Sequence, residues 1–517
     1  MILVAYVPDI VFMFEVHQPY RLREDMIFHI IRNSFKSLNG KLLYNALFDE
    51  DLNKAIFNRV ASKCYIPSTK ILIDINKELR KHSKLFKFSF SISGIFIEQA
   101  LKWNKKVIDI VAEAVSEGIV ELVDQTYYHS LASLFPEYDE FIEQITMHKD
   151  LLHNIFGIEP IVAENTEFIY NNNIACLLSK LGYRVILTEG VDKVLCWRSP
   201  NYVYKAWGCD IRLLLRNYRL SDDIGFRFSD RKWDQYPLTA SKYASWLSQT
   251  YGDVIFIAID YETFGEHHSI ETGIHEFLKW LPIEISKYQQ IETEFPSIAA
   301  FKYPARDTYD VPPWNTISWA DERDLSAWLG NEIQRTVFEF YVFLEPYVKA
   351  VGDEYLKIWR ILGSSDHLYY LAMKSGAAGE VHSYFTPYRD IFTALRVYTE
   401  ALAALATSIS NKIIENPYKY AYKITLPSIY SFKFYLMPGK PLNIKAHSLP
   451  ELISIVRKVP IESLIFHLRR GDLANWIKTF FMLDDVAQQL NELSKNIDII
   501  KDFEKLRETV VSILHKS

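Results

Sequence analysis

Residues 254–259, VIFIAI, constrain this chain more than any other stretch. Six consecutive apolar residues, rich in β-branched side chains, leave no polar face to turn toward water. Such a run reads as a strand buried on both sides, as in a parallel sheet. It ends abruptly in Asp260-Tyr261-Glu262, followed by Phe264-Gly265-Glu266-His267-His268. In α/β barrels the chemistry gathers at the C-terminal ends of the strands, so a carboxylate there is a candidate for it. The bland alternative is an aspartate that caps the following helix.

The same grammar recurs through the first half of the chain. Residues 10–16 read as a buried strand, which Pro19 ends just after His17 and Gln18. Helical periodicity over 67–83 precedes an alternating strand at 85–93 and a helix over 97–117 that Gly118 stops. A strand at 119–123 runs into Asp124-Gln125-Thr126-Tyr127-Tyr128-His129-Ser130, a mixture of groups that suits a polyhydroxylated ligand. A helix over 138–156 and a strand at 161–163 follow, and the latter leads into Glu164-Asn165-Thr166-Glu167. A helix over 172–181 and a strand at 184–187 complete the series. Alternating strands and helices argue for a parallel sheet or barrel, whose right-handed crossovers bring the strand ends to one face. Residues 197–234 are less regular and read as strands and loops dressing the barrel mouth, with a helix over 238–250 after them.

Beyond Asp324 the composition changes, and a boundary falls near residue 322. A proline-rich loop over 304–319 carries Trp314 and Trp319. Residues 324–362, 369–374 and 388–414 then read as long helices, interrupted at Ser364-Ser365-Asp366-His367. Residues 423–440 read as a strand pair around Ser428, and 447–517 as helical and charged. We therefore expect a barrel over 1–322, a helical domain over 323–420 that completes the cleft, and a C-terminal strand pair with a helical appendage over 421–517.

With 58 basic and 64 acidic residues the net charge is −6 and no basic block appears, which points away from nucleic acid. No apolar run approaches the ~18 residues of a membrane span, and no basic segment precedes an apolar one at the N-terminus. The four cysteines, Cys64, Cys176, Cys196 and Cys209, show no C-x-x-C spacing. That argues against a disulfide framework or a cysteine zinc site and for a reducing compartment. A soluble cytoplasmic protein is the expectation, with no membrane partner and no cofactor; homo-oligomerisation stays open.

Two carboxylates at the ends of two strands, Glu167 and Asp260, are what glycosidic cleavage requires. One attacks the anomeric carbon, and the other protonates the leaving oxygen. Around them, Phe14-Glu15-Val16-His17-Gln18-Pro19, Thr126-Tyr127-Tyr128-His129-Ser130-Leu131, Asn165-Thr166-Glu167, Asp260-Tyr261-Glu262-Thr263-Phe264-Gly265-Glu266-His267 and Ser365-Asp366-His367 follow in order. On these motifs the chain resembles glycoside hydrolase family 57, within it the intracellular α-amylase-type group. The resemblance implies a (β/α)7 barrel followed by a helical bundle, and retaining chemistry on α-glucans or maltooligosaccharides. It implies Glu167 as nucleophile and Asp260 as general acid/base. His17, His129 and His367 become subsite residues, and Gln18, Tyr128, Glu262, His267, Trp319 and Asp366 join them as candidate substrate contacts.

Two positions depart from the pattern of that group. Gln125 stands where a glutamate is expected, and Glu164 where a basic residue is expected. A second carboxylate three residues before Glu167 threatens like-charge repulsion. The alternatives to hydrolysis are a 4-α-glucanotransferase, a glucan-binding homologue with weak or no turnover, and a metal-dependent sugar hydrolase. The last would have His17, His129, Asp260 and His367 converge on a divalent ion, although no H-x-x-H pair supports it.

Overall fold

The computed structural model describes residues 8–32, 39–320, 322–374, 384–497 and 502–515. Its sheet is built from β1 (Asp9–Val16), β2 (Phe88–Ile92), β3 (Val120–Val123), β4 (Val162–Glu164), β5 (Val185–Glu189), β6 (Val203–Ala206), β7 (Arg212–Arg216), β8 (Val254–Asp260) and β9 (Asp307–Tyr309). The strands run in the order β3-β2-β1-β8-β7-β5-β4, all parallel. The two ends of that row meet. The Asp124 N–H donates to the Val162 carbonyl at 3.0 Å, and the Glu164 N–H donates to the Asp124 carbonyl at 2.9 Å. Seven parallel strands thus close into a ring, the (β/α)7 barrel. β6 lies outside it, antiparallel to β7, and carries β9. The seam between β7 and β8 is thin, with one register pair, Arg216 with Phe256.

The closed ring explains why the strand sequences look as they do. β1 and all but the last residue of β8 are buried on both faces. β2 alternates polar and apolar residues in sequence, yet Ser89 and Ser91 are as buried as its phenylalanines. Ser89 donates to the Phe12 carbonyl at 3.0 Å, so the polar face points into the barrel, where each hydroxyl finds a partner.

Several expected elements differ. The helix over 97–117 is two helices, Gly94–Trp103 and Lys106–Ser116, separated at Asn104. The region 197–234 supplies β7, a strand of the ring itself rather than a dressing of its mouth. Residues 324–362 form Ser326–Leu329, Glu332–Phe343, Glu345–Val351 and Asp353–Leu362, because the Asn331 capping box, Pro346 and Gly352 each punctuate the run. The helix expected at 369–374 is instead Ser365–Tyr369, whereas Ile391–Glu415 is the long helix expected, capped by Asp390. The strand pair lies further along, at β10 (Phe432–Met437) and β11 (Lys440–Ala446), and turns at Pro438-Gly439 rather than around Ser428. Cys176 and Cys209 form a disulfide that their spacing did not announce. It ties the helix Asn172–Lys180 to the β6–β7 turn. Among the described residues no helix is long and apolar enough to cross a membrane.

The helical region is welded to the barrel's outer helices by a shared core. Phe135 packs on Trp359 at 6.0 Å between centroids, and Tyr341 stacks on Trp359 at 4.8 Å. Leu452, Ile477 and Leu490 of the C-terminal helices belong to the same cluster. A buried ion pair crosses the join. Arg360 donates to both oxygens of Glu140 at 2.7 and 3.0 Å, while Gln144 and Lys349 also reach that carboxylate. Removing one member of such a pair strands the other charge. We expect Arg360→Leu to cost about 3 kcal/mol in urea unfolding, and Glu140→Gln in the same chain to recover most of it. Additive losses in the double variant would contradict this account.

Candidate active site

Every ring strand ends at one face, and those ends carry the polar residues. β1 delivers Glu15 and His17; β4 leads to Glu167; β7 ends at Arg216; β8 ends at Asp260 and leads to Glu262. Register places Glu15 beside both Ser91 and Asp260. Together with Trp319 from the loop after β9 and Asp366, Tyr369, Tyr370 and Phe385 from the helical region, they enclose a cleft of about 240 Å³.

Glu167 and Asp260 both line this cleft. Their surroundings differ sharply. Glu167 sits at φ +60°, and Phe168 beside it at φ +51°, in the left-handed region that non-glycine residues rarely adopt. The turn aims the Glu167 carboxylate at its donors. Trp319 Nε1 donates to Oε2 at 2.6 Å, Ser365 Oγ donates to Oε1 at 2.8 Å, and His129 Nε2 lies 3.6 Å from Oε1. Among the described residues none donates a comparable hydrogen bond to Asp260. Burial and the charge of Glu167 push its pKa up to about 7, against the pull of Arg216 and His129.

The histidines divide their work. His17 and His129 stack with centroids 4.0 Å apart. Burial and the neighbouring His129 charge bring His17 down to about 4. It is therefore neutral, bonded to Ser93 Oγ at 2.7 Å and donating from Nε2 to Asp366 at 3.0 Å. Burial alone would lower His129 too, but its contacts with Glu167, Glu15 and Asp366 outweigh that and raise it to about 9. Burial works against ionised Asp366, yet bonds from His17 and Ser364 hold its carboxyl well below the usual range.

On the other wall, burial and the Asp260 charge lift Glu262 to about 8. Tyr65 donates to it at 2.5 Å and accepts from Gln18, which in turn accepts from Arg21. His267 is held neutral by burial, its pKa near 3, and lies against the edges of Tyr384 and Phe385. Gly265 allows the turn that brings Glu262 and His267 to the cleft, since at φ +128° a β-carbon would meet the Lys63 carbonyl at 2.2 Å.

Of the residues expected from sequence, the cleft gathers Glu167, Asp260, His17, Gln18, His129, Glu262, His267, Trp319 and Asp366. Two do not line it. Tyr128 is 3% exposed and packs on Tyr127, and His367 is 2% exposed and stacks on Tyr398 at 5.2 Å. In a helix, adjacent side chains point about 100° apart. Ser365 and Asp366 therefore face the barrel, and His367 turns into the core. With His367 elsewhere, the four expected metal ligands do not converge, and among the described residues no group of three or more His, Cys, Asp or Glu is arranged to hold an ion.

Sequence reasoning missed Arg216 and Arg323. Arg216 donates to the Ala258 carbonyl, Glu189 and Asp222 at 2.7–2.9 Å, and its guanidinium lies 5.6 Å from the centre of the Trp319 ring. Arg323 reaches the same two acids at 3.4 and 3.6 Å. The signal available was the RLLLR spacing, an apolar run closed by a charge at a strand end.

Comparison with known proteins agrees with this architecture. The model for Glycosyl hydrolase family 57 matches residues 11–312. A Methanocaldococcus jannaschii protein provisionally named an alpha-amylase is 47% identical over 403 residues, 76% of this chain and 83% of that one. A family 57 branching enzyme from Thermococcus kodakaraensis, solved with glucose, superposes with a TM-score of 0.56 at 13% identity, covering 79% of this chain and 92% of its own. A branching enzyme from Pyrococcus horikoshii gives 0.55 at 13%, with 79% and 91% covered. A family model spanning the ring, and a relative this similar along most of both chains, establish that the protein belongs to glycosyl hydrolase family 57.

Proposed function

We propose that the protein cleaves α-1,4-linked glucans with retention of configuration. Glu167 attacks the anomeric carbon to form a covalent glycosyl-enzyme while Asp260 protonates the departing oxygen. Asp260 then takes a proton from water, which attacks the anomeric carbon and releases Glu167. The observation that carries this reading is the division between the two carboxyls of one cleft. Glu167 accepts hydrogen bonds from fixed donors, the setting a carboxylate nucleophile needs. Asp260 has no such donor among the described residues and keeps its proton up to about pH 7, the setting a general acid needs. Trp319 fixes the Glu167 side of this arrangement, since its N–H binds Glu167 while its ring packs beside Phe168 and Arg216. His17, His129, Asp366 and Glu262 line the cleft as polar partners for sugar hydroxyls.

The direct test is product analysis after incubation with maltooligosaccharides of defined length, using Glu167→Gln as control. Only shorter products are expected, with the anomeric configuration of the substrate in the first-formed sugar. Longer products would assign transfer to an acceptor sugar. Tight binding without any product would leave a glucan-binding protein.

A further inference from the structure

At the floor of the cleft a buried polar chain crosses four neighbouring strands. Glu15, Ser91, Gln125 and Glu164 are each 4% exposed or less. The chain has a direction. Ser91 Oγ donates its one hydrogen to Glu164 Oε1 at 2.7 Å. The same oxygen must then accept from Gln125 Nε2, 2.8 Å away, and that nitrogen also donates to Glu15 Oε1 at 2.8 Å. The amide is thereby locked with its nitrogen toward the acids and its oxygen toward His129 Nδ1, at 2.8 Å. An amide oxygen only accepts, so Nδ1 must carry a hydrogen. The other ring nitrogen, Nε2, faces Glu167 Oε1.

We infer that Glu164 is a positioning residue: paired with Glu15 and acting through Ser91 and Gln125, its carboxyl sets the hydrogen-bond direction that keeps both nitrogens of His129 protonated beside Glu167. The inference rests on the reading of Glu167 as nucleophile, because a fixed imidazolium at that carboxylate is what gives the arrangement a purpose. It also accounts for the two departures from the family pattern together. An amide at 125 is what can donate to an acid pair on one side and accept from an imidazole on the other, whereas a carboxylate at 125 would add charge to the pair.

The electrostatics agree. Burial, followed by the charge and hydrogen bond of Glu164, keeps Glu15 far above the normal carboxylate range, and burial lifts Glu164 to about 7 with the charges of Glu167 and Asp260 adding to the rise. Both carboxyls therefore hold a proton to higher pH than an ordinary carboxyl does. His129 is faced by Glu15 from β1, by the stacked His17, by Gln125, by Glu167 and by Asp366 from the helical region; Asp260 on β8 feels its charge.

Glutamine at 164 retains a carbonyl that can accept from Ser91, whereas methionine has no such acceptor. In Glu164→Met the Ser91 hydrogen is free to turn toward Gln125. The amide then inverts, its oxygen accepting from Ser91 and from the Glu15 carboxyl in its protonated form, and it presents its NH2 to His129 Nδ1, a contact that favours loss of that nitrogen's proton to solvent. The experiment is ¹⁵N NMR of the His129 ring without substrate, across a pH titration, in the full chain. Wild type is expected to be doubly protonated at pH 7. Glu164→Met and Ser91→Ala are both expected to lower the His129 pKa by at least about one unit, and Glu164→Gln to keep it close to wild type. Where the variants turn over glucan, kcat in the methionine and alanine variants should fall about tenfold with KM little changed. A neutral His129 in wild type overturns the inference. So does an unchanged titration in folded Glu164→Met and Ser91→Ala, or an equal shift in all three variants. Because the NMR signal needs no turnover, a protein inactive on glucans would defeat the functional reading while leaving this inference to be decided on its own.

Discussion

Glu167→Gln abolishes turnover, with kcat reduced by about 10³-fold or more, while the melting temperature stays near wild type. The amide keeps the size of the side chain, its oxygen can still accept from Trp319 and its NH2 can donate to Ser365 Oγ, so the fold has no reason to fail. What disappears is the electron pair that bonds to the anomeric carbon. A smaller residue makes the role explicit. In Glu167→Gly, azide should occupy the vacated space and yield a glycosyl azide of configuration opposite to the substrate's. An azide product of unchanged configuration would instead mean that Glu167 is the proton donor. Removing the Glu167 charge also removes the largest cause after burial that holds Asp260 high, so the Asp260 pKa should fall in Glu167→Gln.

Asp260→Asn is the complementary experiment. Loss of a general acid costs about 10²–10⁴-fold on an unactivated α-glucan. The loss should be much smaller on an aryl glycoside whose phenolate leaves without a proton. The pH profile carries the same information. Asp260 must be protonated in the first step, and its pKa is raised to about 7, so kcat/KM should decline as pH climbs through 7. That alkaline limb should vanish in Asp260→Asn. An alkaline limb that persists in the variant would remove Asp260 from the role. In Glu167→Asp, which keeps a charge near Asp260, the limb should remain.

The parts of this molecule that were legible in the sequence are those where burial leaves no choice of residue. β1 and β8 announce themselves because a strand buried on both faces must be apolar throughout. Where each ends in a polar residue, the end of the strand and the edge of the cleft coincide, which is how His17 and Asp260 were found. β7 was illegible for the same reason turned around. Its three leucines stand between two arginines, and nothing local reveals that Arg216 is buried against Glu189 and Asp222, one of them 27 residues away. Tyr128 and His367 show the other limit. Each neighbours a residue that does face the cleft, but the rotation of the backbone between neighbours decides which side chain enters it, and composition is blind to that rotation. The threat read into Glu164 also changes meaning in three dimensions. Its carboxyl accepts from Ser91, and burial raises both it and Glu15, so the repulsion feared for Glu167 falls on acids that keep their protons to higher pH than usual.

One feature of the cleft reaches beyond its chemistry. Ser365, which donates to Glu167, and Asp366, which accepts from His17, both ride on a five-residue helix that is not part of the barrel. A small slip of that helix would deprive Glu167 of a donor and His17 of its partner, with every rung of the strand ladder still in place. On heating, activity is therefore expected to be lost before the strand ladder melts, as the contact of the helix Ser365–Tyr369 with the barrel loosens.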